Sequence, residues 1–320
     1  MSYTSRRQAV VQRFKPSTGG HSRLDVADGA MLMVVTVWAG NNVLTKSALG
    51  ESISPRVYVF LRLLIVALLL FGLLGFRRQN ISIPRADFGR FLLAGVSGYA
   101  AYNMLFVLGL ARTSAFSAAI LVATAPVITL LLAAVLGIER VRPRQWIGVA
   151  AAFAGVAIFV GEKLLNGRPA SGDLLNLLAA VAFAIYGLTT QDLVRRHGAQ
   201  ITTAWSVLIG LTAVLPLTLP AVLDEEWEAL QWRGWIAVLY AAVLSMLLAY
   251  TLWSWAIGRR GAGRTVPYLF LIPVITGMLA MVFLNDAIGR YQLIGAGFAL
   301  TGVGLARWSA GGLPRVNRGP

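Results

Sequence analysis

PVITLLLAAVLGIERVRPRQWIGVAAAFAGV, residues 126–156, is written a second time as PVITGMLAMVFLNDAIGRYQLIGAGFALTGV, residues 273–303. The two stretches align without gaps and share 13 of 31 positions. Pro126-Val127-Ile128-Thr129 repeats as Pro273-Val274-Ile275-Thr276, and Gln145, Gly148, Ala152 and Gly155 repeat as Gln292, Gly295, Ala299 and Gly302. A common apolar composition would match residue class, but not a four-residue identity together with Pro, Gln and Gly. The chain therefore carries an internal duplication.

Composition says where such a chain lives. It is 57% hydrophobic and 13% charged, too little charge for a soluble protein of this length. Apolar runs of about 20 residues span a hydrocarbon core of about 30 Å as helices. The absence of Cys excludes disulfides, thiolate metal sites and a Cys nucleophile. The net charge of +15 would suggest nucleic acid in a soluble protein. Here it reads as basic loops on one side of a bilayer, and no nucleic-acid partner is expected.

Ten apolar cores are expected, roughly at 28–49, 56–76, 88–110, 116–136, 146–160, 173–191, 202–223, 235–257, 265–284 and 291–308. A basic tail over 1–27 precedes them, and 309–320 follows them as a second tail. With the N-terminus inside, 20 Lys and Arg fall on the inside, seven fall outside, and Arg62 lies within a core. That asymmetry predicts both termini in the cytoplasm. Each copy of the duplication then holds five helices, 28–160 and 173–308, joined by an extracytoplasmic linker at 161–172. An odd number makes the second copy enter from the opposite side. The expected fold is all-α integral membrane, ten transmembrane helices as two inverted five-helix repeats, an architecture that places a substrate near the midplane between the halves.

Several motifs carry a family likeness. They are Trp38-Ala39-Gly40-Asn41-Asn42-Val43-Leu44-Thr45-Lys46, Pro55 with Arg62-Leu63-Leu64, Ala111-Arg112-Thr113-Ser114-Ala115, Pro126, Glu139-Arg140, Tyr250-Thr251-Leu252-Trp253, Pro273 and Gly295. Over about 28–308 the chain resembles the EamA-type permeases of the drug/metabolite transporter superfamily. The resemblance implies a polytopic inner-membrane carrier, often an exporter of metabolites, and leaves the substrate open.

The candidate site is read from helical faces. Trp38, Asn41 and Thr45 recur at i, i+3, i+7, as do Phe183, Tyr186 and Thr190 in the matching helix. Tyr99, Asn103 and Phe106 form another stripe with Tyr102 beside it, and the duplication sets Asn103 on Tyr250 and Phe106 on Trp253. Amides and hydroxyls are costly against lipid, so these stripes should face protein or a wet cavity. Trp38, Asn41, Asn42, Thr45, Tyr99, Tyr102, Asn103, Tyr186, Thr190, Tyr250 and Trp253 are the expected substrate-binding residues. Packing between helices is the competing explanation for each of them singly. Arg62 and Lys46 are candidate contacts for a substrate carboxylate; the alternative for Arg62 is to snorkel outward or tie helix ends, with Glu51 as a partner. Pro126 and Pro273 each remove a backbone hydrogen bond in mid-helix and are candidate hinges.

All 13 Asp and Glu lie in the tail, the connections or at helix edges, and both His lie outside the cores. No buried acid or His is expected at the midplane to relay protons or capture a cationic drug. No metal site, cofactor or catalytic set is expected, and Gly258-Arg-Arg-Gly-Ala-Gly-Arg-Thr265 reads as a basic cytoplasmic turn rather than a phosphate loop. The repeated small residues on one face should let the fifth and tenth helices pack closely, inside the fold or across a homodimer. The expected function is a secondary transporter of small metabolites, neutral or zwitterionic amino acids above all, by alternating access. A drug efflux carrier is the alternative, and a membrane enzyme or lipid-handling protein is further off.

Overall fold

The computed structural model describes residues 25–49, 52–138, 141–167, 169–228, 230–260 and 265–308. Most of the basic tail, the C-terminal tail, Glu51, Glu139, Arg140 and 261–264 of the basic turn lie outside the described residues. The described residues form ten helical rods and no β-sheet. They are α1 Val26–Ala48, α2 Pro55–Phe76, α3 Arg85–Arg112, α4 Ala115–Val135, α5 Pro143–Leu165, α6 Ser171–His197 and α7 Ala199–Leu223. Next come α8, continuous through Trp232–Leu239, Tyr240–Ala249 and Tyr250–Arg260, α9 over Val266–Phe270 and Leu271–Phe283, and α10 Arg290–Trp308. Seven rods, α2 to α8, are long and apolar enough to cross a membrane. Asp28, Asn41 and Asn42 dilute the apolar run of α1, and α9 is shorter.

The helix starts follow capping chemistry. Asp28 Oδ2 accepts from the Asp25 amide at 2.8 Å to open α1. Ser54 caps α2 ahead of Pro55, and Ser114 caps α4 by accepting from the Ser117 amide at 3.1 Å. Several rods are irregular, two of them beside the prolines expected to break a helix. α3 is π-helical over Gly95–Ala101, and α8 is π-helical over Tyr240–Ala249, at matching points of the duplication. α4 breaks at Ala123-Thr124, just before Pro126, and α9 opens with a tight 3-10 segment, just before Pro273. α5 also runs past its apolar core, to Leu165.

Packing pairs the rods antiparallel. The start of α3 meets the end of α6 through Asp87, Arg196 and His197. The end of α3 meets the start of α6 through Thr113 and Asp173. α1 lies on α8, where the Tyr240 hydroxyl donates to the Val37 carbonyl at 3.2 Å. α5 lies on α10 in close interlock: a Cβ at Gly148 would fall 2.4 Å from the Ala306 nitrogen, and one at Gly302 would fall 2.3 Å from the Ala152 nitrogen. The small-residue stripes of both rods are therefore consumed inside the fold. Exposed apolar side chains such as Leu68, Val135, Leu165 and Val282 cover the outside of the bundle, as lipid contact requires.

Candidate functional site

Four rods bring their polar stripes to a common centre. The resulting cavity has a volume of about 360 Å³, the size of a small-metabolite site. Of the residues singled out in the sequence, Trp38, Asn41, Asn42, Arg62, Tyr99, Tyr102, Asn103, Tyr186, Tyr250, Trp253, Pro126 and Pro273 line it. Thr45, Thr190 and Lys46 do not. Thr45 shares a 2.7 Å hydrogen bond with Tyr58, and Thr190 donates to the Tyr186 carbonyl of its own helix at 2.8 Å. Lys46 donates to the carbonyls of Leu110 and Ala111 at 2.9 and 3.2 Å, tying the end of α1 to the end of α3. Its counterpart near the other end of the bundle, Gln191 of α6, is exposed.

The walls are two aromatic clusters exchanged by the duplication. Trp38, Tyr250 and Trp253 meet between α1 and α8, with ring centroids 5.4 to 6.2 Å apart. Tyr99, Tyr102, Phe106, Phe183 and Tyr186 meet between α3 and α6, at 5.1 to 6.0 Å. Edge and tilted contacts of this kind suit the ring quadrupoles. The Tyr186 ring sits over Gly98, where a Cβ would lie 2.1 Å from it, so only glycine admits that ring. The Tyr186 hydroxyl lies between those of Tyr99 and Tyr250 and joins the two clusters.

The π segments supply carbonyls to the site. Asn103 Nδ2 donates to Gly98 and Tyr99 oxygens at 3.3 and 3.0 Å, and Trp38 Nε1 donates to the Ser245 oxygen at 3.1 Å. Segments of this kind recur at functional sites because they release backbone groups. The first bond pair fixes the amide of Asn103 and leaves its Oδ1 without a partner. Asn41 Oδ1 and Trp253 Nε1 are likewise unpartnered. Asn42 is engaged, donating to Thr276 at 3.3 Å. Arg62 is the one charged residue among the described lining and is 7% exposed. Its Nε donates to Met246 Sδ at 3.1 Å, a weak acceptor, and its guanidinium lies beside the Tyr58 hydroxyl. No described carboxylate or His lines the cavity.

Some of the site escaped the sequence. Thr203 of α7 and Ser245 of α8 line the cavity, and neither belongs to a stripe. Lys163 and Asp173, expected in or beside a loop, form a buried pair: Nζ lies 2.9 and 2.7 Å from Oδ1 and Oδ2. Thr113 donates to Asp173 at 2.6 Å, and Lys163 also donates to Thr113 and Ser117 at 2.8 and 3.2 Å. At the other end of the bundle the Tyr268 hydroxyl donates to Asp28 at 2.5 Å. Among the described residues no cluster of three or more metal-ligating side chains occurs.

Residues 26–161 and 170–308 each match the sequence model of the EamA-like transporter family. A protein of Streptantibioticus cattleyicolor named as a probable terminal-alkyne amino-acid exporter is 28% identical over 288 residues, covering 88% of this chain and 93% of that one. An Escherichia coli protein named as a probable amino-acid metabolite efflux pump is 26% identical over 288 residues, covering 86% of this chain and 93% of its own. An Archaeoglobus fulgidus protein described only as a transporter is 25% identical over 282 residues, with 85% and 94% covered. One solved crystal structure shares the fold at a TM-score of 0.59 and 19% identity, covering 90% of this chain and 99% of that one.

Proposed function

The chain belongs to the EamA-like transporter family and is a multi-pass membrane protein; from that premise we propose that it exports small zwitterionic metabolites, amino acids above all, across the inner membrane. The observation that carries the proposal is the central cavity, walled by aromatics and holding Arg62 without a described acid. The names of the relatives from Streptantibioticus and Escherichia point to the same substrate class. A cationic drug would find no counter-charge among the described lining, which disfavours drug efflux.

All ten rods span the bilayer, as inverted repeats over 28–160 and 173–308 with both termini cytoplasmic. The pairing of α3 with α6 and of α8 with α1 supports this, because a two-fold exchange of the halves converts one pair into the other. The matched π segments support it further. Transport proceeds by alternating access. The Lys46 end faces outward in this orientation, and its bonds to Leu110 and Ala111 support an outside-closed state. Pro126 and Pro273, each beside a helix irregularity, are the hinges. The stripes of α5 and α10 are already occupied by each other, so they are not free to form a dimer interface.

Cells expressing the protein, loaded with a neutral amino acid through a hydrolysable dipeptide, should release the free amino acid faster than control cells. Trp253→Ala and Asn41→Ala should each slow the release without lowering membrane abundance. Equal loss of abundance would assign both residues to folding.

A further inference from the structure

The two halves of the cavity have diverged in chemistry although they share an ancestor sequence. The guanidinium and every amide of the lining, Arg62, Asn41, Asn42 and Asn103, come from α1 to α3. The duplication sets Asn41 on Tyr186 and Asn103 on Tyr250. Around the position matching Arg62, α7 offers only Val207, Leu208 and Ile209. The second half therefore presents hydroxyls, an indole and apolar side chains where the first half presents charge and amides.

From this asymmetry we infer that the substrate binds in one fixed orientation, its charged head against the first half and its side chain against the second. The inference rests on the transport role proposed above. The carboxylate meets Arg62. A guanidinium buried without a described acid lacks an anion, and a charge-assisted, bidentate bond outweighs what the neutral indole of Trp253 could offer. The ammonium meets Asn41 Oδ1 and Asn103 Oδ1, which are 95% or more buried with their residues and have no other partner. An unpaired acceptor in such a place costs free energy until a donor arrives. The side chain lies on Met246, Tyr250, Trp253 and Phe270. Transport thus selects the head by hydrogen bonding and tolerates the tail by packing, which predicts strict recognition of the α-carbon groups and a graded choice of side chain.

The test is binding to the purified full chain in lipid nanodiscs, with a panel of neutral L-amino acids and their carboxamides. The wild type should bind each acid about tenfold or more tightly than its amide, the scale of a charge-assisted bond. Arg62→Met should bring that ratio close to one. Arg62→Lys, which keeps the charge with a shorter reach, should leave an intermediate ratio and covers the case in which the methionine variant does not fold. Trp253→Ala should reorder affinities along the side-chain series, weakening the largest side chains most. An undiminished acid-over-amide ratio in either Arg62 variant would overturn the assignment and leave the transport role standing. No saturable binding of any amino acid by the wild type would remove the role itself, and the assignment with it.

Discussion

Asn103 Nδ2 donates to the Tyr99 carbonyl oxygen at 3.0 Å, inside a helix that has slipped to π geometry. One amide is thus divided: its nitrogen satisfies released backbone oxygens, and its oxygen is buried without a partner. Asn103→Leu should lose both. Leaving the carbonyls unpaired costs about 1–3 kcal/mol, visible as a lower melting temperature, and transport should fall with it. Asn41→Leu should reduce transport with a smaller change in melting, because Asn41 Oδ1 is unpartnered and its amide makes no comparable bond to the backbone. Melting curves in detergent and transport rates on the same preparations separate the two.

Lys163 and Asp173 predict a different pattern. The pair joins α5 to α6 and gathers Thr113, just past the end of α3, and Ser117 of α4. Removing one partner leaves a buried charge, so Asp173→Asn or Lys163→Met should destabilise by about 3–5 kcal/mol. The double change Lys163→Met with Asp173→Leu should recover much of that loss. Thermal melting of the three variants checks the ordering.

The interlock of α5 and α10 is a packing prediction. Gly148→Leu and Gly302→Leu each force a side chain into backbone only 2.3 to 2.4 Å from the Cβ, and folded protein should be lost. Gly297→Leu, on the same helix as Gly302 with nothing within 4 Å, should leave yield unchanged. Monodisperse recovery from membranes is the measurement.

Lys46 is expected to act on the gate. Lys46→Met removes the bonds to Leu110 and Ala111 and should populate an outside-open state. The chain has no cysteine, so a single Ala119→Cys in the cavity lining can be probed cleanly. Its labelling by an impermeant thiol reagent from outside should rise several-fold in the Lys46→Met background, and an unchanged rate would remove Lys46 from the gate.

How much of this was legible depends on what kind of signal each feature leaves. The apolar runs follow from the cost of exposing backbone and charge to lipid, so the rods stand close to where hydropathy puts them. The polar stripes at Asn41 and Asn103 were legible because an amide in an apolar run needs a reason. Helical period gives a face but not a partner, which is why Thr45, Thr190 and Lys46 shared the right stripes or ends and yet bond elsewhere. The π segments were hidden, since a register slip changes no residue type. Lys163 was hidden as well: a lysine just beyond an apolar core looks like a loop residue until the helix runs on to Leu165 and brings Asp173 to meet it. Thr203 lies near the start of α7 with no periodic partner, and only the fold carries it to the cavity.

The central claim, that an aromatic cavity with no acid among its described lining carries zwitterions across the membrane, is tested most directly by uptake of labelled neutral amino acids into proteoliposomes, with and without an imposed pH gradient. Saturable uptake without the gradient, abolished by Arg62→Met and reduced by Trp253→Ala, is the predicted result. Uptake that appears only with the gradient, or no saturable uptake at all, would contradict the account; uptake that survives Arg62→Met unchanged would overturn the carboxylate assignment alone.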